Sequence, residues 1–288
     1  MKLRQAAPAC HPVNSKEWNF GTYTAGMHAP APSPAGKPGL SPGNRSLERG
    51  IELLRAFRPG TEVLGNAELA ERTGLARPTV TRLAQTLVGA GMLQGAPGRT
   101  YRLAPAVLSL AHAMRSGSSE LNLAAPIMAE VAEKNRINVG LAAPDRDEMV
   151  YLESIRYSRR VALRKVVSGQ RVPIELTSLG RAYLAMLPEE RRKPLLALFK
   201  RRRGAHWPAL ARELQDAIRH VADHGYCAAA WQPEVVALAA PLRHSPTPLV
   251  LNVSMSTGEP LQRMEKELAP VLLGALARID AALRQAAP

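Results

Sequence analysis

Cysteine is almost missing. The chain has only Cys10 and Cys227 among 288 residues, which excludes a disulfide framework and a C-x-x-C metal or redox pair. A reducing compartment is expected. No stretch reaches the roughly 20 uninterrupted apolar residues of a membrane span, and the opening MKLRQAAPACHPVNS lacks the apolar core of a signal peptide. The expectation is a cytoplasmic protein with no membrane partner. Also missing, in any fitting context, are G-x-S-x-G, the Walker A loop, H-E-x-x-H and G-x-G-x-x-G, so nucleophilic, phosphoryl-transfer and dinucleotide chemistry lack their usual supports. Neither an enzyme nor a cofactor is expected. There is no internal repeat, and between residues 77 and 104 there is not one Asp or Glu.

What is present begins with charge. A formal net charge of +14 and a pI near 10.4 favour polyanionic partners, because Lys and Arg gain by releasing counterions from phosphates. The surplus is not confined to one region, since residues 45–104 hold nine Arg against five acids and residues 119–288 hold 24 Lys and Arg against 18 acids. Charge alone does not locate a binding face.

Residues 1–44 are dense in Pro, Gly, Ala and Ser, which bury too little apolar surface to offset the entropy of ordering, so a disordered tail is expected there. From Ser46 the pattern turns helical. SLERGIELLRAFRPG offers Ser46 as an N-cap and repeats Leu47, Ile51, Leu54 and Phe57 before Pro59-Gly60 stops it. NAELAERTGL predicts a second helix capped by Asn66 and ended by Gly74, and ARPTVTRLAQTLVGAGML a third, with Pro78 in its first turn and Val80, Leu83, Ala84 and Leu87 on one face. MLQGAPGRTYRLA then predicts two short strands about Gly95-Ala96-Pro97-Gly98. That order is a winged helix-turn-helix over residues 45–104.

PAVLSLAHAMRSG predicts a linker helix at 105–118, with Val107, Leu108, Leu110, Ala111 and Met114 giving more apolar surface than a solvated helix should carry. A partner should cover it. Residues 119–288 mix helices, near 120–135, 178–187, 188–203, 208–224 and 259–285, with strands INVGLAA, EMVYLESI, RRVALRKV, VVALAAPL and LVLNVSMS. The fold class is α+β in two domains, the second with a central, largely antiparallel sheet.

In a helix-turn-helix the second helix lays its polar face in the major groove, which is wide enough for one helix. With Val80, Leu83 and Leu87 buried, the opposite face offers Arg77, Thr79, Thr81, Arg82, Gln85 and Thr86. Arg grips guanine bidentately, Gln pairs with adenine, and Thr reaches phosphate or a thymine methyl. Arg99, Tyr101 and Arg102 add a wing beside the minor groove or backbone. An ordinary αα-hairpin with a solvated polar side is the bland reading, and the missing acids, which would repel phosphate, weigh against it. Double-stranded DNA is the expected partner.

Taken in order, SLERGIELLRAF, NAELAERTGLARPTVTRLAQTLVGAGML and GRTYRLAPAVLSLA resemble the N-terminal domain of IclR-family transcriptional regulators. GQRVPIELTSLGRAYLAMLPEE, HGY at 224–226, VVALAAPL and LVLNVSMSTG resemble that family's effector domain, so the resemblance spans about 45–285. It implies a GAF-like C-terminal domain that binds a small, often carboxylic metabolite, and assembly into a homodimer or a dimer of dimers. A dimer in turn implies inverted-repeat half-sites.

The residues give their own reason to look at the same place. Thr177, Ser178, Leu179 and Gly180 form the first turn of a predicted helix, whose unpaired N–H groups and positive dipole end suit a carboxylate. On LVLNVSMS, Leu249, Leu251, Val253 and Met255 alternate with Asn252, Ser254 and Ser256, a polar lining on an otherwise apolar strand. Against this, Thr177 and Ser178 fit equally a simple helix cap, and the serines a solvated face. By resemblance, Thr177 to Gly180 match the family's loop-helix ligand contacts, Ser254 and Ser256 its strand serines, and Ala237 a position often held by cysteine. Glu175-Leu176 departs from the usual small or His-containing pair, so a carboxylate is expected to be disfavoured near Glu175. The segment Cys227–Glu234 is short and lacks the usual acids.

Two further signals have bland readings of their own. His220 and His224 are four apart and reach toward zinc ligation with Asp216 or Asp223, yet such a pair is more often solvated. KRRRG at 200–204 fits a solvated helix C-terminus, where cations complement the dipole, better than nucleic acid. The rival from another class is an enzyme or metal-dependent sensor with the helix-turn-helix as adaptor, and no convergent acid, base or metal set supports it.

Overall fold

The computed structural model describes residues 43–157, 167–232 and 234–286. The expected tail up to residue 42 and the strand expected over RRVALRKV lie outside them. Between Ser118 and Ser119 the chain divides into two compact units.

The first unit runs α1 (Arg45–Arg55), β1 (Leu64–Gly65), α2 (Asn66–Thr73), α3 (Arg77–Gly89), β2 (Leu93–Ala96), β3 (Thr100–Leu103) and α4 (Ala106–Ser116). β1, β3 and β2 form a small antiparallel sheet in that order, the hairpin expected from the Gly-rich turn. Leu53, Phe57, Leu64, Leu69, Val80, Leu83, Ala84 and Leu93 make its core. Gly74 takes φ 69° as the C-cap of α2, so the chain turns within two residues into α3.

Two caps and one stripe differ from the sequence reading. Asn44, not Ser46, caps α1, its Oδ1 accepting from the N–H groups of Ser46 and Leu47 at 3.0 and 3.1 Å. α2 is capped by Gly65, whose N–H donates to Glu68 at 2.8 Å, with Asn66 the first helical residue. On α1 the buried positions are Gly50 and Leu53, followed by Ala56 and Phe57 just past its end, whereas Leu47 and Ile51 are exposed. Phe57 is buried as its period requires, but the buried face of the helix is centred on Leu53, with Leu54 packed beside it.

The second unit contains α5 (Ser119–Asn135), β4 (Asn138–Asp145), β5 (Glu148–Ile155), β6 (Arg171–Pro173), α6 (Ser178–Met186), α7 (Glu189–Arg203), a short 3₁₀ turn, α8 (Trp207–His224), β7 (Cys227–Gln232), β8 (Val235–Pro241), β9 (Val250–Ser256) and α9 (Leu261–Ala286). The sheet is antiparallel throughout, in the order β6-β5-β4-β9-β8-β7. Alternation divides its residues between two cores. Val139, Leu141, Val236, Leu238, Leu251 and Val253 pack with α5 and α9 on one face. Ala142, Tyr151, Cys227, Ala239 and Val250 pack with α6, Phe199 of α7 and α8 on the other.

The basic run at the end of α7 is not simply solvated, contrary to the sequence reading. Arg203 binds the Glu175 carboxylate through Nε at 2.9 Å and Nη2 at 2.5 Å, and Arg202 pairs with Asp147. Burial of Glu175 forces this, since a carboxylate with no exposure needs a cation. The charge expected to repel a ligand near Glu175 is therefore taken up inside the fold. Nearby, Arg171 bridges Glu148 at 2.7 Å and also Asp145, and Arg181 bridges Glu213 at 2.7 Å. These pairs tie the β4–β5 turn and the β6–α6 loop into one cluster of ion pairs.

Candidate functional site

The predicted residues gather in two places, an exposed face on the first unit and a largely buried layer in the second. On α3, Val80, Leu83 and Ala84 are buried and Leu87 half-buried, while Arg77, Arg82, Gln85 and Thr86 are exposed and Thr79 and Thr81 half-buried. The helix therefore divides by face as its periodicity requires. Thr81 and Thr86 donate their hydroxyls to the carbonyls of Arg77 and Arg82, each at 3.0 Å. To donate to a phosphate either hydroxyl must first rotate away from its own helix.

Arg99 and Arg102 are exposed on the β2–β3 hairpin, and Arg102 Nε donates to Gln94 at 3.3 Å. Tyr101, grouped with them from the sequence, packs against the core of the unit instead. Arg99 follows Gly98 in the left-handed region, at φ 58° after 75°. Two successive positive φ values are those of a type I′ turn, whose twist matches the flanking strands of the hairpin.

The second group lies under the first turn of α6. Strand register sets Cys227, Ala239, Asn252 and Gly140 in one row and Ala229, Ala237, Ser254 and Asn138 in the next. Both rows are on the face that α6 covers, and the Cys227 thiol, at one end of the first row, donates to the Ser178 carbonyl at 3.3 Å. Half of these eight residues are Ala or Gly, the others being Cys227, Asn252, Ser254 and Asn138, with exposed Ser256 further out on β9. Structure thus brings Thr177, Ser178, Leu179 and Gly180 together with Ala237, Asn252 and Ser254 about one buried layer.

The Thr177 hydroxyl is already committed. It accepts from Gly180 N–H at 3.2 Å and donates to the Pro173 carbonyl at 2.8 Å, so it caps α6 and what it leaves to a ligand is the helix N-terminus itself. Gly180 is there for space. A Cβ on it would stand 2.1 Å from the Ile174 carbonyl oxygen. Two residues that sequence reasoning missed also bear on this layer: Tyr151, buried on β5, and Gly140, against which Tyr151 and Asn252 close. The signal for Gly140 was a glycine inside a strand, which marks close approach.

His220 and His224 stack with ring centroids 4.2 Å apart, Tyr226 meets His220 edge-on at 4.9 Å, and His220 Nε2 is 3.4 Å from Glu265. Stacked rings do not converge on a common ion. Among the described residues, no group of three or more His, Cys, Asp or Glu is placed to hold a metal. Burial, and then the neighbouring His224, hold the His220 imidazole below its ordinary range, outweighing the pull of Glu265 and Asp223. Below pH 6.5 the unfolded chain therefore binds a proton the folded chain resists, so this site loses stability as pH falls. Melting curves from pH 7.5 to 5.5 should show a smaller acid loss for His220→Gln than for the parent; equal losses would remove His220 as their source.

Residues 46–97 match the family described as IclR helix-turn-helix domain, and residues 119–284 that described as bacterial transcriptional regulator IclR C-terminal. Over 253 residues the chain is 29% identical to the HTH-type transcriptional regulator TsaQ1/TsaQ2 of Comamonas testosteroni, covering 84% of this chain and 90% of that one. It is 28% identical over 239 residues to the Pca regulon regulatory protein of Pseudomonas putida, covering 80% and 81%. The crystal structure of an IclR family transcriptional regulator from Brucella abortus superposes with a TM-score of 0.74 at 33% identity, covering 83% of this chain and 92% of that one. These relatives are transcriptional regulators and not enzymes, so the catalytic alternative falls. No helix among the described residues is long and apolar enough to cross a membrane.

Proposed function

Because the chain belongs to the IclR family of bacterial transcriptional regulators, with a DNA-binding helix-turn-helix and an effector domain, we propose how its own residues divide that work. Residues 45–104 bind an inverted-repeat operator, with Arg77, Arg82 and Gln85 reading bases and Thr79, Thr81, Thr86, Arg99 and Arg102 anchoring the backbone. One observation carries this reading: the exposed face of α3 presents two arginines and a glutamine in a run with no acid from 77 to 104. Exposed Arg99 and Arg102 on the hairpin favour a wing contact by the same logic.

The effector is a small carboxylic or aromatic acid whose carboxylate meets the N-terminus of α6, and the protein acts in the cytoplasm as a homodimer or a dimer of dimers. Support for the acid comes from the first-turn N–H groups of a helix seated over a floor of small residues. Regulation follows from linkage: an acid that binds one arrangement of the dimer more tightly shifts the spacing of the two α3 helices, and with it operator affinity.

Arg82→Ala tests the reading face. It should cost about 1–3 kcal/mol on the preferred operator and relax the preference at one base pair. Equal loss on all sequences, with a salt slope reduced by about one, would make Arg82 a phosphate anchor. Unchanged binding would remove α3 from the interface.

A further inference from the structure

The KRRRG run at the end of α7 has two faces, and only one of them is taken up by the fold. Arg202 and Arg203 turn inward to Asp147 and Glu175. Lys200 and Arg201 are exposed and continue, with Lys193 and Ala197, the solvent side of the helix. Two more exposed arginines belong to the same end of the unit. Arg146 stands in the β4–β5 turn beside Asp147, the partner of Arg202. Arg212 on α8 precedes Glu213, the partner of Arg181, whose guanidinium also reaches the Glu175 carbonyl at 3.4 Å.

The acids that could cancel these charges are turned away from solvent. Asp147, Glu148 and Glu175 are buried, Asp145 and Glu213 are half-buried, and each is held by an arginine. Asp216, one turn beyond Arg212, is taken by Arg219. Lys200, Arg201 and Arg212 enter no ion pair among the described residues. Charge is thus sorted here, with acids inside and cations outside. The helix dipole accounts for cations in the last turn of α7, but not for Arg146 and Arg212, which stand on other elements. A positive surface whose counter-charges are buried attracts a polyanion, and guanidinium groups suit phosphate, which they grip through two N–H groups at once.

We infer that this surface of the second unit binds the phosphate backbone of DNA flanking the operator, a contact without sequence preference. The inference rests on the DNA-binding reading of the first unit. The two units are one chain, joined at Ser118 and Ser119, so an operator-bound first unit holds the flanking phosphates at high effective concentration and weak contacts count. An acidic protein would meet the same charges, but DNA is the polyanion that the chain itself delivers.

The test uses the full chain and an operator recovered by selection from random duplexes, either trimmed to its half-sites or extended by about two helical turns of arbitrary sequence on each side. The parent should bind the extended duplex about tenfold more tightly. Lys200→Gln, Arg201→Gln and Arg212→Gln together should remove that gain and lower the salt slope on the extended duplex by about two to three, one for each phosphate given up. Binding to the trimmed duplex should stay within about twofold of the parent's. All three positions are exposed and helical, and glutamine keeps helix propensity, so melting curves should match the parent's. Lys134→Gln, Arg263→Gln and Arg284→Gln remove the same charge from exposed positions elsewhere in the unit and should leave both duplexes bound as by the parent. Equal parental affinity for the two duplexes, an equal loss on both in the first triple variant, or an equal loss in the control set overturns the inference. So does a first triple variant with parental affinity and slope on the extended duplex, which would leave the surface to an acidic protein. A parent that binds no duplex at all would instead sink the DNA-binding reading, and this one with it.

Discussion

Gly180→Ala is expected to lower the melting temperature of the effector unit by about 8–16 °C and to abolish acid binding. The added Cβ would stand 2.1 Å from the Ile174 oxygen, 2.2 Å from its Cα and 2.5 Å from its carbonyl carbon, all backbone atoms. Extra methyls in a packed core usually cost about 1–3 kcal/mol because side chains yield. Here none can yield, since Ile174 is fully buried and the loop after it is held by Glu175 to Arg203. A cost on the order of 4 kcal/mol follows, and for a domain of this size each kcal/mol lowers the melting temperature by about 2–4 °C. Gly274→Ala is the control. It lies in α9 with nothing within 4 Å of a new Cβ, so it should gain up to about 1 kcal/mol from helix propensity alone. Scanning calorimetry of the two variants checks both signs, and a Gly180→Ala protein that melts with the parent would mean the β6–α6 loop is not fixed as described.

The contrast shows what the sequence made legible. A glycine in TSLGRAYLA reads as helix N-terminal chemistry, while the reason for it, Ile174 six residues earlier folded back against the helix, belongs to tertiary structure. The same holds for the charge cluster. Arg203 and Glu175 are 28 residues apart and Arg202 and Asp147 are 55 apart, so KRRRG reads as a solvated helix end until the loop and turn meet it. Local signals did better. Three helices, the Gly74 turn and the hairpin of the first unit follow from periodicity and breakers, because each is decided within about a dozen residues. β7 was missed because half of CAAAWQ is alanine, a poor strand former, and the segment becomes a strand by pairing with β8. Alternation on LVLNVSMS identified the polar face of β9, but not that α6 covers it.

Replacing Leu110 and Met114 together by Gln should lower operator affinity at least about a hundredfold and halve the sedimenting mass at micromolar concentration. Both lie on α4, where no residue is buried and Leu108, Leu110 and Met114 are 73%, 60% and 52% exposed. Val107, Leu110, Ala111 and Met114 recur at i, i+3, i+4 and i+7, a stripe one face wide. We propose that this stripe is covered by that of a second copy, since aligned exposed apolar side chains favour burial and a two-fold pairing of α4 with itself is self-complementary. Covering each large side chain contributes about 1.5–3 kcal/mol. Loss of the pairing removes the second half-site from reach, and with it the 10²- to 10⁴-fold gain that joining two binding events supplies. Glutamine is chosen over an acid because it keeps helix propensity and adds no charge to repel phosphate, so weaker DNA binding would report on pairing alone. A variant with parental mass and parental operator affinity would place the dimer contact elsewhere in the chain, and the two α3 helices would then have to be spaced by the effector units.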